Sequence, residues 1–301
     1  MKLLRLAALP CLLLGLLVAS QPSAAQSYAA GAPVIAAAGD IACSPADSVT
    51  ETSCHHRETS DLVLADPTIT DVLTLGDNQY ERGSAADYLA AYDPTWGRFK
   101  SLTHPTPGNH DYGTANAQGY RDYFGYPTGP LWYSYNLGDW HVVALDSNCG
   151  KLTGKCTSQS PESQFLREDL AGDNHLCELL YWHHPRFTSY KRLMPTKAFW
   201  QIAYANGVDV ILNAHGHAYE RFAPQAPDGT LDSAGGIRQF VVGTGGKNLD
   251  APCCPRANVQ VADDTTFGIL KMTLGATGYD WQFVPDPTSG TFTDLGADTC
   301  H

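Results

Sequence analysis

Short apolar runs, each broken off by a glycine and a polar residue, recur along this 301-residue chain. Residues 34–38 and 72–75 are two such runs, each followed by Gly-Asp, and residues 59–64 between them carry helical spacing. The pattern predicts a strand–helix–strand unit. Residues 84–91 predict the next helix, and 103–107 lead into Gly108-Asn109-His110. Residues 132–137 and 140–146 read as two strands joined at Gly138-Asp139, a hairpin signal. Ser160 is placed to cap a helix whose first position is Pro161 and which runs to about Leu170. Residues 178–182 predict a strand ending at His183, and 195–206 a helix stopped by Gly207. Residues 208–212 predict a strand ending just before His215, and 237–242 another ahead of Gly243-Thr244-Gly245-Gly246. Residues 267–274 and 279–284 form a late hairpin, while the tails and the Pro/Gly/Cys-rich stretch 247–259 read as loops. The alternation implies an α/β fold of mixed sheets covered by helices. No repeat, low-complexity segment or linker divides it, so residues 26–301 are expected to form one domain.

The first residues stand apart from this pattern. Lys2 and Arg5 precede an apolar stretch at 6–18, and Ser23-Ala24-Ala25 follows, the layout of a secretory signal cleaved after Ala25. The stretch is short for a membrane anchor, which needs roughly 20 apolar residues. Cys11 lies inside it rather than after it, which argues against a lipid anchor. Export outside the cytoplasm, extracellular or periplasmic, is the expectation.

An oxidising compartment makes sense of the other cysteines. Cys43 with Cys54 and Cys149 with Cys156 would close short loops and are expected to pair; Cys253 and Cys254 could bridge each other or reach Cys177 and Cys300. No Cys-x-x-Cys spacing supports a thiolate metal site. The net charge of -12 and the absence of a Lys/Arg-rich patch exclude a nucleic-acid backbone as partner. An acidic protein can still take an anionic substrate where metal cations dominate the local field.

The candidate chemistry sits at the strand ends. Gly39-Asp40, Gly76-Asp77-Asn78-Gln79-Tyr80, Gly108-Asn109-His110-Asp111, His183-His184-Pro185 and His215-Gly216-His217 each follow an apolar run. Ligands of open α/β sheets gather beyond the carboxyl ends of strands. Carboxylate, phenol, amide and imidazole groups are the hard and borderline ligands that hold two metal ions side by side. Asp77 is placed to bridge both ions, with Asp40 completing the first. Tyr80, three residues after Asp77, can reach the same ion, and a phenolate favours ferric iron over zinc or magnesium. His215 and His217 are two apart, so an extended backbone points both to one side, one ligand for each ion. Asn109 and His183 finish the second ion, which a shell of this kind lets be zinc, manganese or ferrous iron.

With these residues the chain resembles the dinuclear metallophosphoesterases of calcineurin-like fold, and within them the purple acid phosphatase-like branch. The resemblance runs from Gly39 to about Gly246. Its most specific element is Gly-Asp-x-x-Tyr at Gly76–Tyr80, coupled to Ala42 where most relatives place a histidine; His217-Ala218-Tyr219-Glu220-Arg221 is similar to the branch's extended signature. The resemblance implies a four-layer α/β/β/α sandwich with the metal site at the strand C-terminal ends. It implies Asp40, Asp77, Tyr80 and His217 on the first ion, and Asp77, Asn109, His183 and His215 on the second. His110 would contact phosphate and assist the leaving group. The implied reaction is hydrolysis of phosphate esters by a metal-activated hydroxide. The expected function is a secreted phosphatase of small phosphate monoesters, with a phosphodiesterase on the same scaffold, or a non-catalytic metal- or phosphate-binding protein, as rivals. Two departures stand out: Ala214 replaces the usual glycine before His215, and the loop after Pro185 offers Lys191 and Arg192 where relatives often place a histidine over the substrate.

Ordinary structural roles compete for several of these residues. Asp40 and Asp77 could cap loops beside glycines, but the agreement with the other sites favours ligation. Tyr80 could be packing, and the loss of histidine at Ala42 favours it as a ligand. His183 and His184 cannot both face one ion from a regular strand. The resemblance, through the spacing to Pro185, implies His183 as the ligand, with His184 supporting it from behind, near the substrate. His55 and His56 read as a solvated loop, and His104, His141, His175 and His301 receive no role. The six tryptophans read as core.

Overall fold

The computed structural model describes residue 28, residues 31–191 and residues 195–301. The expected signal segment and Arg192 lie outside the described residues. Among the described residues, thirteen strands form two sheets. In the first, β1 (Val34–Ala38), β2 (Asp71–Leu75) and β3 (Thr103–Thr106) run parallel. β11 (Gly268–Gly275), β12 (Gly278–Pro285) and β13 (Leu295–Thr299) add antiparallel strands beside β1. In the second, β5 (Trp140–Ala144), β6 (Cys177–Tyr181), β7 (Val210–Asn213) and β9 (Arg238–Val242) are parallel. β4 (Tyr133–Leu137) flanks β5, and β8 (Tyr219–Phe222) with β10 (Val259–Asp263) flanks β9, all antiparallel. Both sheets are mixed, as the α/β reading required.

Period-two alternation explains the layering. Val142, Ala144, Leu179, Tyr181, Val210, Leu212, Phe240 and Val242 share one core cluster with Ile35, Val72, Leu73 and Leu270 of the facing sheet. The intervening Val143, Leu145, Leu180, Trp182, Ile211 and Val241 form a second cluster with Leu166 and Leu170 of α4 (Pro161–Gly172) and Phe199, Ile202 and Ala203 of α5 (Lys197–Ala205). On the other side α1 (His56–Ala65) sends Val63 into the first cluster. A single turn, α2 (Ala85–Asp87), which continues as a π-helical turn over Tyr88–Tyr92, and a short helix, α3 (Gln118–Phe124), complete the α-helices of the described residues. Ser160 caps α4 as expected, its hydroxyl accepting from the Ser163 amide at 3.2 Å.

Sequence patterning missed β8, β10, β13 and α3. β8 reads Tyr-Glu-Arg-Phe, with a charged pair where an apolar run was sought, and β13 in the C-terminal tail carries a single large apolar residue, Leu295. His55, expected in a solvated loop, is instead buried, stacked on Phe267 at 4.3 Å and paired with Asp286 at 2.7 Å. The expected Cys43–Cys54 and Cys149–Cys156 bridges form, and the open question resolves to Cys177–Cys300 and the adjacent Cys253–Cys254. No helix of the described residues is long and apolar enough to cross a membrane.

Leu180 is wholly buried between the second sheet and its helices, whereas Leu176 is half exposed just before β6. Leu180→Ala is expected to cost about 2–5 kcal/mol, and Leu176→Ala to stay within about 0.5 kcal/mol. Urea midpoints at constant slope measure both.

Candidate metal centre

The parallel strands of both sheets end at one rim, where glycines let the following loops interleave. A Cβ on Gly39 would sit 2.5 Å from the Ala214 methyl, and one on Gly76 2.7 Å from the His183 Cβ. A Cβ on Gly108 would lie 2.1 Å from the Asp77 Oδ1. These contacts explain why the carboxylates follow glycine, and why Ala214 is tolerated opposite Gly39. Asp40 (φ 57°), Asp77 (φ 49°) and His215 (φ 67°) take the left-handed backbone region. Non-glycine residues adopt it at a cost and mainly where surrounding structure over-determines them.

Tyr80 is the hub. Its hydroxyl lies 2.7 Å from Asp40 Oδ1, 3.1 Å from Asp77 Oδ2 and 3.2 Å from His217 Nε2. The Tyr80 amide donates to the Ala42 carbonyl at 2.8 Å, so the loop after β1 holds the backbone from which the phenol reaches inward. Asp40 Oδ2 accepts the His215 amide at 2.7 Å, and Asp77 Oδ1 the His110 amide at 2.7 Å. His183 donates Nδ1–H to the Leu75 carbonyl (2.9 Å), which turns Nε2 to within 3.2 Å of Asp77 Oδ2. That Nε2 is buried and makes no aligned hydrogen bond among the described residues, and the same is true of His217 Nδ1.

Donor atoms of Asp40, Asp77 and His183 lie within 4.8 Å of one another, as do those of His183, His184 and His215. His183 belongs to both groups. An imidazole nitrogen stranded between buried carboxylates is what a cation would satisfy, and the carboxylate, phenol and imidazole set suits hard or borderline ions. The residues therefore fit a metal centre.

Electrostatics agree with that fit. Burial works to raise the Asp40 and Asp77 carboxyls, but His217 and His183 outweigh it and hold both below the ordinary carboxylate range. Burial works against a charged His183, yet Asp77 and Asp40 push its pKa up to about 9. Burial and the neighbouring His183 bring His215 down to about 4 and His184 well below its usual value. Burial, then Asp40 and Asp77, keeps Tyr80 a neutral phenol well above 10.

Asp40, Asp77, Tyr80, His183 and His217 thus meet in one cluster, with His215 joined through its amide and its ring, 5.0 Å from that of His183. Asn109 stands exposed on the rim and makes no side-chain hydrogen bond among the described residues. His110 packs on Tyr80 at 4.2 Å, with its Nδ1 2.7 Å from the Glu81 carbonyl. His184 is buried, its Nδ1 2.9 Å from Ser147 Oγ and its ring 4.6 Å from that of His215. Lys191 is paired with Asp250 at 2.6 Å.

Two residues escaped the sequence reading. Buried Asp111 accepts from the Gly108 and Asn78 amides and from Tyr88 Oη, tying the β2 and β3 loops together. Its place in the Gly108–Asp111 signature was the available signal. Lys247 lies over the Tyr80 ring at 5.1 Å and pairs with Asp47 and Glu81, a position no local pattern announces.

Residues 35–219, more than half of the chain, match the family model described as calcineurin-like phosphoesterase, and the chain belongs to that family. Purple acid phosphatase 15 of Arabidopsis thaliana is 27% identical over 221 residues, which cover 65% of this chain and 37% of that protein. The chain thus spans little more than a third of that curated relative's length. A purple acid phosphatase isolated from yellow lupin (Lupinus luteus) seeds superposes with a TM-score of 0.71 at 16% identity, over 88% of this chain and 53% of that one. GAP50, the anchor in the inner membrane complex of Plasmodium, gives 0.60 at 10% identity over 87% of each chain. At such identities the structural likeness speaks for the fold alone.

In metal-free protein the His183 ring should titrate near pH 9 rather than 6.5, because Asp77 stabilises its charged form. A folded pKa raised this way adds stability that is fully present below 6.5 and is lost as pH rises through 9. Histidine NMR of the metal-stripped chain checks this; a midpoint at or below 6.5 would mean the ring is not held against Asp77.

Proposed function

We propose that this protein is a secreted metallophosphatase that hydrolyses phosphate monoesters at a two-ion centre. The observation that carries the reading is the Tyr80 hydroxyl set among Asp40, Asp77 and His217, beside a buried His183 Nε2 that makes no aligned hydrogen bond among the described residues. Asp40, Asp77, Tyr80 and His217 hold the first ion, ferric iron because a phenolate favours a trivalent cation. Asp77, Asn109, His183 and His215 hold the second, zinc, manganese or ferrous iron. When bound, the pair supplies a hydroxide nucleophile near neutral pH and neutralises phosphoryl oxygens.

The remaining work falls to the chain itself. His110, with Nδ1 committed to the Glu81 carbonyl, has Nε2 left to give a proton to the departing alkoxide. The Tyr80 ring under His110 fixes that imidazole's orientation. His184, Lys191 and Arg192 contact the ester, Lys191 by releasing Asp250. The 27% identity to a purple acid phosphatase supports this reading. A non-catalytic metal- or phosphate-binding protein is the rival reading, and the intact cluster of acidic and imidazole donors weighs against it.

Metal-replete protein is expected to turn over a simple aryl phosphate monoester faster than the matching diester. Faster diester turnover would make it a phosphodiesterase, and no hydrolysis across a wide pH range would leave a binding protein. His110→Ala is expected to lower kcat by about a hundredfold to ten-thousandfold, with metal content unchanged. Metal analysis with a visible spectrum tests the first ion: a phenolate-to-iron band should vanish in Tyr80→Phe. A colourless protein holding two zinc ions would refute iron there.

A further inference from the structure

We propose that His141, His175, Asp173 and Glu178 form a separate cation site, suited to zinc, at the opposite rim of the second sheet from the candidate centre. His175 Nδ1 lies 2.6 Å and His141 Nδ1 3.6 Å from the same oxygen, Asp173 Oδ1. Donor atoms of all three residues fall within 4.8 Å of one another. His141 Nε2 is 2.8 Å from Asp169 Oδ2, while Asp169 Oδ1 accepts Ser134 Oγ at 2.6 Å. A carboxylate behind the far nitrogen of a histidine is the usual device for aiming the near one at a metal. The near nitrogen, Nδ1, also lies 2.8 Å from Asn136 Oδ1.

The independent observation is Glu178. It pairs in register with His141 on the neighbouring strand, so both side chains leave the same face of the sheet. Glu178 is 7% exposed, and its Oε2 is buried with no hydrogen-bond partner among the described residues. Burial, and then the Asp173 carboxylate, raises its carboxyl to about 7, so a cation beside it would favour the charged form. Ionised together, Asp169, Asp173 and Glu178 would bring more negative charge than two imidazoles offset, an excess that a bound cation would balance. Two imidazoles and two carboxylates make a four-ligand set of the kind zinc takes. Cys177 is disulfide-bonded to Cys300 and offers no thiolate. Part-exposed His175 opens the cluster to solvent. Along β6, Glu178 is five residues from His183, roughly 16 Å of extended chain, so the two sites share no ligand.

Full-length protein equilibrated with buffered free zinc, then freed of unbound metal, should carry one more zinc per chain than His175→Ala or Glu178→Gln treated alike. Zinc should also raise Tm further in the wild type than in either variant. Equal zinc counts in the three proteins, or an extra zinc that survives either substitution, would overturn the site. The readout is a difference between proteins that share Asp40, Asp77 and His183. A failed candidate centre would lower all three counts together, whereas a failed zinc site would leave them equal.

Discussion

Two carboxylates buried side by side, Asp40 and Asp77, set the terms for the whole rim. An ionised carboxylate removed from water without partners is prohibitively costly, so each oxygen must be met. The chain meets them from far-apart segments: the His215 amide and Tyr80 hydroxyl on Asp40, the His110 amide, Tyr80 hydroxyl and His183 ring on Asp77. Backbone amides can point at those oxygens only if the loops turn sharply at the strand ends. The left-handed φ of Asp40, Asp77 and His215 and the closely packed glycines follow from that requirement. Local strain here is the consequence of charge satisfaction.

A second ring of buried acids carries the same logic outward. Asp111 joins the β2 and β3 loops, and burial followed by Asp77 raises its carboxyl to about 6. Glu220 on β8 accepts Thr188 Oγ1 and the Ser189 amide, fixing the loop that follows His183-His184. The amides of Cys253 and Cys254 both donate to the Ser189 carbonyl at 2.9 Å, so the adjacent disulfide braces that loop from the other side. The loop offering Lys191 is thus held by interactions remote from any ion.

The sequence revealed the parallel strands and the residues at their ends because both obey short-range rules. An apolar run stopped by Gly-Asp is local, and so is the Ser160-Pro161 helix start. What escaped depended on partners distant in the chain. β13 and β8 lack an apolar run and exist through pairing with β12 and β9. His55 has a polar neighbourhood in sequence, yet it is buried by Phe267 and Asp286, more than 200 residues away. Tyr80 was readable only through its coupling to Ala42; the backbone bond between them gives that coupling a physical basis.

The charge distribution at the mouth shows where affinity for an anion would have to arise. The chain is acidic overall, and the lysines nearest the cluster are already engaged: Lys191 by Asp250, and Lys247 by Asp47 and Glu81. Paired and part-exposed, they add little positive field of their own. An anionic ester approaching this rim therefore meets neutralised lysines and buried carboxylates. Among the described residues, the attraction would come from cations seated among Asp40, Asp77 and the histidines, which would invert the local field. The same carboxylates that would repel a phosphate in the metal-free chain are those that would draw it in once they hold metal.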